Sequence, residues 1–131
     1  MLSVLIVNWN TKDMLRCCLS SLRAHPPAEE HEVIVVDNDS HDGSADMVER
    51  EFPDAVLVRS GSNLGYAAGN NLAFSVARGN YLLTLNPDTE FEDASLTTAL
   101  EVVKSYPQCG ALGVKLVGPD KTCLLYTSRC V

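Results

Sequence analysis

Short apolar runs alternate with amphipathic segments along most of the chain. Nearly continuous β-prone runs occupy residues 2–7, 32–37, 55–59 and 81–86. Such runs are typical of strands that are buried on both faces in a parallel sheet. Apolar residues recur at helical spacing between these runs. The alternation of strands and helices predicts an α/β fold with a mostly parallel sheet flanked by helices.

The ends of several further elements can be estimated from the sequence. The first helix is expected to use Asn10 or Thr11 as its N-cap, because both side chains can accept a backbone hydrogen bond there. A second helix should run to about Glu51, and another should cover residues 94–105. The apolar run at residues 110–117 predicts one more strand.

The composition argues against a nucleic-acid partner and against a membrane-spanning or secreted protein. The 131 residues carry a formal net charge of −7 and no cluster of Lys or Arg, which argues against a nucleic-acid surface. No apolar run approaches the ~20 residues that a transmembrane helix needs. The N-terminus also lacks the basic flank and cleavage site of a signal peptide. We therefore expect a cytoplasmic protein, consisting of one domain or part of one.

Polar clusters follow the first, second and fourth predicted strands, at residues 8–10, 37–40 and 86–88. In an open α/β sheet the ligand lies beyond the carboxyl ends of the strands, so these clusters are expected to line one crevice. Asp37 could accept hydrogen bonds from a ribose or a base, and Asp88 offers oxygen ligands of the kind that Mg²⁺ or Mn²⁺ prefers. Each cluster taken singly could also be a polar turn or a helix cap.

A dinucleotide or methyl-donor Rossmann domain is the main alternative for this pattern. Such a domain needs glycines in the loop after the first strand, so that the backbone can approach a pyrophosphate. Here that loop, residues 8–13, contains no glycine. The segment rich in glycine and asparagine is found instead at residues 60–71, where it predicts a loop that leads into a helix. A flexible turn with a helix cap is the alternative explanation of that segment.

Four motifs, taken in this order, resemble the family 2 glycosyltransferases of the GT-A fold, especially their rhamnosyltransferase-like branch. The matching stretches lie at residues 4–10, 33–44, 63–71 and 85–88. The resemblance extends to about residue 120. It implies a Rossmann-like nucleotide-diphospho-sugar transferase fold that is truncated here, with residues 1–120 as its nucleotide-sugar-binding part.

The resemblance also implies a set of site residues. The implied contacts to the nucleotide sugar are Val7, Asn8, Trp9, Asn10, Asp37, Asn38, Ser40, Asn63, Gly65, Asn70 and Asn86. Asp88 matches the second aspartate of the family's Asp-x-Asp motif, whose Mg²⁺ or Mn²⁺ bridges the diphosphate. Asn86 stands where that motif usually has its first aspartate. Because an amide oxygen carries no charge, Asp88 should supply most of the metal binding.

The reaction implied by the resemblance is the transfer of rhamnose or a hexose from dTDP-rhamnose or a UDP-sugar to a glycan or lipid-linked acceptor. It would be inverting, metal-assisted and part of polysaccharide biosynthesis, at the inner face of the membrane in the full-length protein. The family's catalytic base is expected beyond Val131, since nothing in residues 1–131 matches it. We therefore expect this chain to be inactive alone. A nucleotide-binding fragment that transfers nothing is the alternative function.

The last residues, 121–131, stop matching the family abruptly. Residues 123–128 read Cys-Leu-Leu-Tyr-Thr-Ser, which is also the translation of TGTCTCTTATACACATCT, a transposon end used in sequencing-library adapters. We therefore expect residues 121–131 to be a non-native tail that arose by reading through from a gene into an adapter. A divergent natural C-terminus is the alternative.

Overall fold

The computed structural model describes residues 1–118 and 120–123. Its elements are β1 (Leu2–Asn8), α1 (Lys12–Ala24), β2 (His31–Asp37), α2 (Ser44–Glu51), β3 (Val56–Arg59), α3 (Gly65–Val76), β4 (Tyr81–Leu85) and α4 (Ser95–Ser105). None of the helices in this part of the chain has the length and apolarity that crossing a bilayer requires. A first compact unit comprises Met1–Thr97, and a second begins at Thr98.

Two of the sequence-based predictions concern the end of the chain. The predicted non-native tail lies outside the described residues from position 124 to Val131. The catalytic base expected beyond Val131 likewise lies outside the described residues. Both therefore stay predictions.

The first unit is built on a sheet of four parallel strands in the order β3-β2-β1-β4. The central strand β1 places Asn8 opposite Asp37 of β2, and Ile6 opposite Leu85 of β4. The prediction of an α/β fold with a parallel sheet is therefore confirmed. Because all strands run in one direction, their carboxyl ends share one edge, and the loops after β1, β2 and β4 start there.

The core forms where β1 and β2 are covered on both faces. Every residue of β1 is buried, and on β2 the side chains of Ile34, Val35 and Val36 are fully shielded from solvent. Helix α1 buries an apolar stripe of its own side chains, which are Leu15, Cys18, Leu19 and Leu22. This spacing puts the four side chains on one face of the helix. Burial on both faces explains why the two strands read as continuous apolar runs.

Helix α3 begins earlier than predicted. It starts at Gly65, so residues 65–71 are helical and only the first part of the glycine-rich segment is a loop. Glycine is unfavourable in helix interiors because it loses the most backbone freedom there. The glycines of this segment therefore predicted a loop and not the first turns of a helix. Gly65 itself adopts a φ of +75°, a left-handed conformation that glycine takes without strain.

The strand predicted at residues 110–117 is wrong for the described part of the chain. The residues preceding Val117 are not in a strand, and Val117 forms only an isolated antiparallel bridge with Cys123. An apolar run becomes a strand only when a neighbouring strand accepts and donates its backbone hydrogen bonds. The sequence pattern supplied the apolar side chains but could not supply that neighbour.

A buried carboxylate ties the amino ends of β1 and β2 to the connection before β4. Glu32 accepts hydrogen bonds from Ser3 Oγ at 2.6 Å, from the Arg78 backbone N–H at 2.7 Å and from Arg78 Nε at 2.9 Å. The Gly79 N–H donates to Ser3 Oγ at 2.8 Å. Burial alone would raise the pKa of Glu32, but the hydrogen bonds from Ser3 and Arg78 outweigh it and hold that pKa below its usual value.

Glu32→Gln is expected to lower the free energy of unfolding at neutral pH by about 1–3 kcal/mol, because the new amide nitrogen cannot accept from Arg78. The folded-state pKa of Glu32 is depressed, so its contribution is present above the unfolded pKa near 4.5 and is lost as the pH falls through the folded pKa. In urea titrations from about pH 7 to pH 3, the difference between the two chains should therefore shrink as the pH falls. A difference independent of pH would contradict this.

Candidate functional site

The carboxyl edge of the sheet carries a network of polar side chains from the first two strand-to-helix loops. Asn8 Nδ2 donates to Asp37 Oδ1 at 3.0 Å and to Ser40 Oγ at 3.1 Å. Asn8 has 0% of its surface exposed and Asp37 has 4%. Asp37 Oδ2 accepts a further hydrogen bond from the Ser40 N–H at 3.0 Å. The buried amide of Asn8 therefore holds a carboxylate and a hydroxyl at this edge.

The loop after β1 is fastened to the loop after β2. The Asn10 N–H donates to Ser40 Oγ at 2.9 Å, and Asn10 Oδ1 accepts from the His41 N–H at 2.8 Å. Asn10 has a φ of +54°, which asparagine tolerates better than most residues. Trp9 lies between the anchored residues Asn8 and Asn10 and is 55% exposed. Its indole is therefore accessible to a flat ligand such as a base.

Asp42 joins the starts of helices α1 and α2 at this edge. Its Oδ2 accepts from the N–H of Lys12 at 2.8 Å, and its Oδ1 accepts from the N–H of Ser44 at 2.9 Å and from the Ser44 hydroxyl. Burial opposes ionisation, but these hydrogen bonds hold the pKa of Asp42 below its usual value. The predicted site did not include Asp42. Its position just before a helix start was the signal that could have found it.

Helix α3 contributes a second group of contacts at the same edge. Asn38 Nδ2 donates to the Gly65 carbonyl at 3.1 Å, and Asn63 Oδ1 accepts from the Gly65 N–H at 2.9 Å. A Cβ added to Gly69 would lie 2.7 Å from Val7 Cγ1, closer than real Cβ contacts allow. The absence of a side chain at Gly69 therefore lets the helix approach the end of β1 and the nearly fully buried Asn38.

Unused hydrogen-bonding capacity remains beside α3. Within residues 1–118 and 120–123, the buried oxygens Asn38 Oδ1 and Asn70 Oδ1 have no hydrogen-bond partner. The amide nitrogen of each side chain sets its orientation. Asn38 Nδ2 donates to the Gly65 carbonyl, and Asn70 Nδ2 donates to the Tyr66 carbonyl at 3.0 Å. Buried amide oxygens usually have a partner. The edge therefore keeps two acceptors after its internal hydrogen bonds are counted.

The loop after β4 is more open than the other two loops. Asn86 and Asp88 are both exposed, and the carbonyl of Asn86 lies 3.8 Å from Cys18 Sγ. Asp88 lines a cavity of about 200 Å³ with Asp13, Met14, Cys17 and Glu90. Within the described residues, neither the Asn86 nor the Asp88 side chain hydrogen-bonds to the network around Asn8.

The side chains around Asp88 can be compared with the ligands that a divalent metal uses. Burial raises the pKa of the Cys18 thiol to about 12, and the nearby carboxylates of Asp88 and Glu90 add to that rise. Without a cation, Cys18 is therefore a neutral thiol near pH 7, and Mg²⁺ prefers oxygen ligands to sulfur. No group of three His, Cys, Asp or Glu suited to a metal occurs in the described residues. Mg²⁺ commonly uses one or two carboxylates plus substrate phosphates, and an exposed Asp88 fits that mode.

The structure gathers the predicted site residues into three groups along one edge. The first group, joined by hydrogen bonds, is Asn8, Asn10, Asp37 and Ser40, with Val7 and Trp9 beside them in the chain. The second group is Asn38, Asn63 and Gly65, with Asn70 five residues further along α3. The third group is Asn86 and Asp88, which follow β4.

Comparison with known proteins gives a consistent result. Residues 3–122 match the family model described as Glycosyl transferase family 2. An uncharacterized glycosyltransferase of Bacillus subtilis (strain 168), YfnE, is 36% identical over 107 residues, which cover 79% of this chain and 25% of that protein. The N-acetylglucosaminyl-diphospho-decaprenol L-rhamnosyltransferase of Mycobacterium tuberculosis is 26% identical over 99 residues, covering 67% of this chain and 32% of that protein.

A solved structure with the same architecture carries both a donor and a metal. It is the mannosyltransferase PcManGT from Pyrobaculum calidifontis in complex with GDP-Man and Mn²⁺, with a TM-score of 0.70 and 25% identity. The match covers 76% of this chain and 31% of that chain. The chain therefore spans about a quarter to a third of the length of these three proteins.

Proposed function

The chain belongs to glycosyl transferase family 2 and has the GT-A fold, and from this premise we propose that it binds the nucleotide-sugar donor of a glycosyltransferase. The observation that carries the proposal is the convergence of Asn8, Asp37 and Ser40 in one hydrogen-bonded network at the carboxyl edge. Parallel α/β sheets bind ligands at that edge. In the whole protein the sugar would pass to a glycan or lipid-linked acceptor.

We assign the base and ribose to the loops after β1 and β2. Trp9 offers an aromatic face, and Asp37 is the acceptor for a ribose hydroxyl or a base N–H. Both oxygens of Asp37 already accept a protein hydrogen bond. An ionised carboxylate has about four acceptor sites, so it retains capacity for a ligand. Asn38, Asn63, Gly65 and Asn70 would form the α3 side of the cradle.

We assign Mg²⁺ or Mn²⁺ to Asp88, with the uncharged oxygen of Asn86 as a weaker ligand. When bound, the cation would neutralise the charge that develops on the departing nucleoside diphosphate. The exposure of Asp88 leaves its carboxylate accessible to a cation that keeps other positions for phosphate oxygens. The Mn²⁺ that accompanies GDP-Man in PcManGT supports a cation in this architecture.

Rhamnose or a hexose is the sugar we propose, delivered from dTDP-rhamnose or a UDP-sugar. The rhamnosyltransferase name of the Mycobacterium tuberculosis relative supports the first, and the mannosyltransferase name of PcManGT supports a hexose. An acceptor hydroxyl must lose its proton to a positioned base. We propose that this base lies beyond Val131 in the whole protein. We also propose that the whole protein inverts the anomeric centre and that transfer takes place in the cytoplasm at the inner face of the membrane.

A nucleotide-binding fragment without transferase activity is the second candidate for this chain by itself. It is favoured by the limited coverage of the relatives, since this chain corresponds to 25% of YfnE and 32% of the rhamnosyltransferase. Release of the free nucleotide from the donor, measured with and without an acceptor extract, separates the two candidates. Acceptor-dependent release by this chain would rule out the second candidate.

Calorimetric titration of the purified chain tests the donor site directly. We expect one of dTDP, UDP and GDP to bind, and to bind more tightly with Mn²⁺ than without it. Inorganic diphosphate is the matched control, because it offers phosphate and metal contacts without a base or ribose. Equal affinity for the nucleotide and inorganic diphosphate would contradict the base and ribose assignment. No binding by a sample that unfolds cooperatively would contradict the donor site itself.

A further inference from the structure

We propose that Asp42 is a positioning residue for the nucleotide site, because its single carboxylate caps two helices and thereby fixes the loops after β1 and β2 relative to each other. The inference rests on the proposed function, since these loops would hold the base and ribose. Asp42 itself would make no contact with the nucleotide.

The first support is that Asp42 replaces the local caps of both helices. Helix α1 has Thr11 at its N-cap position and helix α2 has Gly43, and neither makes a side-chain cap hydrogen bond. The Thr11 hydroxyl donates instead to Asn8 Oδ1 at 2.6 Å. Gly43 has no side chain to offer. Asp42 meets both needs, with Oδ2 on the Lys12 N–H and Oδ1 on the Ser44 N–H.

The second support is the position of this bridge along the two loops. At the strand ends the loops are joined by the hydrogen bond from Asn8 to Asp37. At the helix ends they are joined by Asp42, which connects Lys12 to Ser44. Trp9 and Ser40 lie between the two joints. Removing the joint at Asp42 would leave the two loops joined by the hydrogen bonds of Asn8 and Asn10 but would free their ends at the helix starts.

The third support is the chemistry of a carboxylate. A carboxylate accepts through both oxygens, whereas an asparagine amide accepts through one and donates through the other end. The two helix N-termini also carry partial positive charge, which an anion between them stabilises. Asp42→Asn can therefore cap one helix but must turn its NH₂ toward the other backbone N–H. Part of the binding free energy would then be used to restore the loop geometry, and the measured affinity would be lower.

The test compares Asp42→Asn with a matched cap elsewhere. Asp93 Oδ1 accepts from the Ser95 N–H at 2.9 Å at the start of α4, which is the same kind of contact without a bridge. Titration with dTDP, UDP and GDP in the presence of Mn²⁺ should show about tenfold weaker binding for Asp42→Asn, the loss of roughly one charge-assisted hydrogen bond. Asp93→Asn should bind like the wild type.

Amide hydrogen exchange shows whether the loops open more often in the variants. Compared with the nucleotide affinity of the same variants, it distinguishes a residue that positions the site from one that only stabilises the fold. In Asp42→Asn or Asp42→Ser, exchange at Lys12 or Ser44 should be faster while the central strands stay protected. Asp42→Ser serves if the asparagine variant does not fold, because serine can still cap α2. Faster exchange with unchanged nucleotide affinity would overturn the inference alone. A folded wild-type chain that binds no nucleotide would overturn the proposed function and this inference with it.

Discussion

Asp88→Ala is expected to abolish the Mn²⁺-dependent part of nucleotide binding, so that the affinity with Mn²⁺ falls to the value measured without it. The expectation follows from how few alternatives the loop after β4 offers. Asn86 supplies only a neutral oxygen, and Glu90, which lines the same cavity, lies outside the matched motif at residues 85–88. With no suitable three-residue group among the described residues, the loss of one carboxylate should remove the main protein ligand of the cation.

Calorimetry with the best-binding nucleoside diphosphate, with and without Mn²⁺, measures this effect. Asp88→Asn is the closest variant, because it keeps the side-chain shape and removes the charge. Asp54→Asn is its control, since Asp54 is also an exposed turn aspartate but precedes β3 at the opposite edge of the sheet. We expect Mn²⁺ to tighten binding in the wild type and in Asp54→Asn only. Undiminished Mn²⁺ dependence in both Asp88 variants would remove Asp88 from the metal site.

The fold could be predicted to the extent that local pattern and burial agree. Strands β1 and β2 are covered on both faces, so their sequences are apolar nearly throughout and could be recognised. The start of α3 could not, because Gly69 is needed for a contact with Val7 that exists only in the folded chain. The error at residues 110–117 has the opposite cause. There the side-chain pattern of a strand is present, but no neighbouring strand is paired with it in the described residues.

The candidate site shows the same division between local and tertiary information. The positions of Asn8 and Asp37 could be predicted because both end a buried strand, and parallel strands bring their carboxyl ends to one edge. The hydrogen bonds among them could not, since they join loops about thirty residues apart in sequence. The local rule predicted Asn10 or Thr11 as the cap of α1, whereas the Lys12 N–H is capped by the distant Asp42. Which of several side chains caps a helix therefore depends on the hydrogen bonds of the folded chain as well as on the local sequence.

Asp37→Ala is expected to weaken nucleotide binding by about 1–3 kcal/mol even without metal, because a ligand donor loses a buried acceptor. The same change removes the acceptor of Asn8 Nδ2 and of the Ser40 N–H. It should therefore also lower the free energy of unfolding, and a loss of affinity could then reflect a damaged loop. Asp37→Asn helps to separate the two effects, because it keeps the side-chain volume and one acceptor oxygen.

Glu32→Gln provides the matched control for Asp37, because both residues are buried, hydrogen-bonded carboxylates on β2. Glu32 lies near the amino end of that strand and Asp37 lies at its carboxyl end. We expect both substitutions to lower stability in urea titrations, but only the change at Asp37 to lower nucleotide affinity at a temperature where all variants are folded. Equal nucleotide affinity in Asp37→Ala and the wild type would exclude Asp37 from ligand binding and leave it a purely structural role. If Glu32→Gln lost affinity to the same extent, stability rather than a contact at Asp37 would explain the effect.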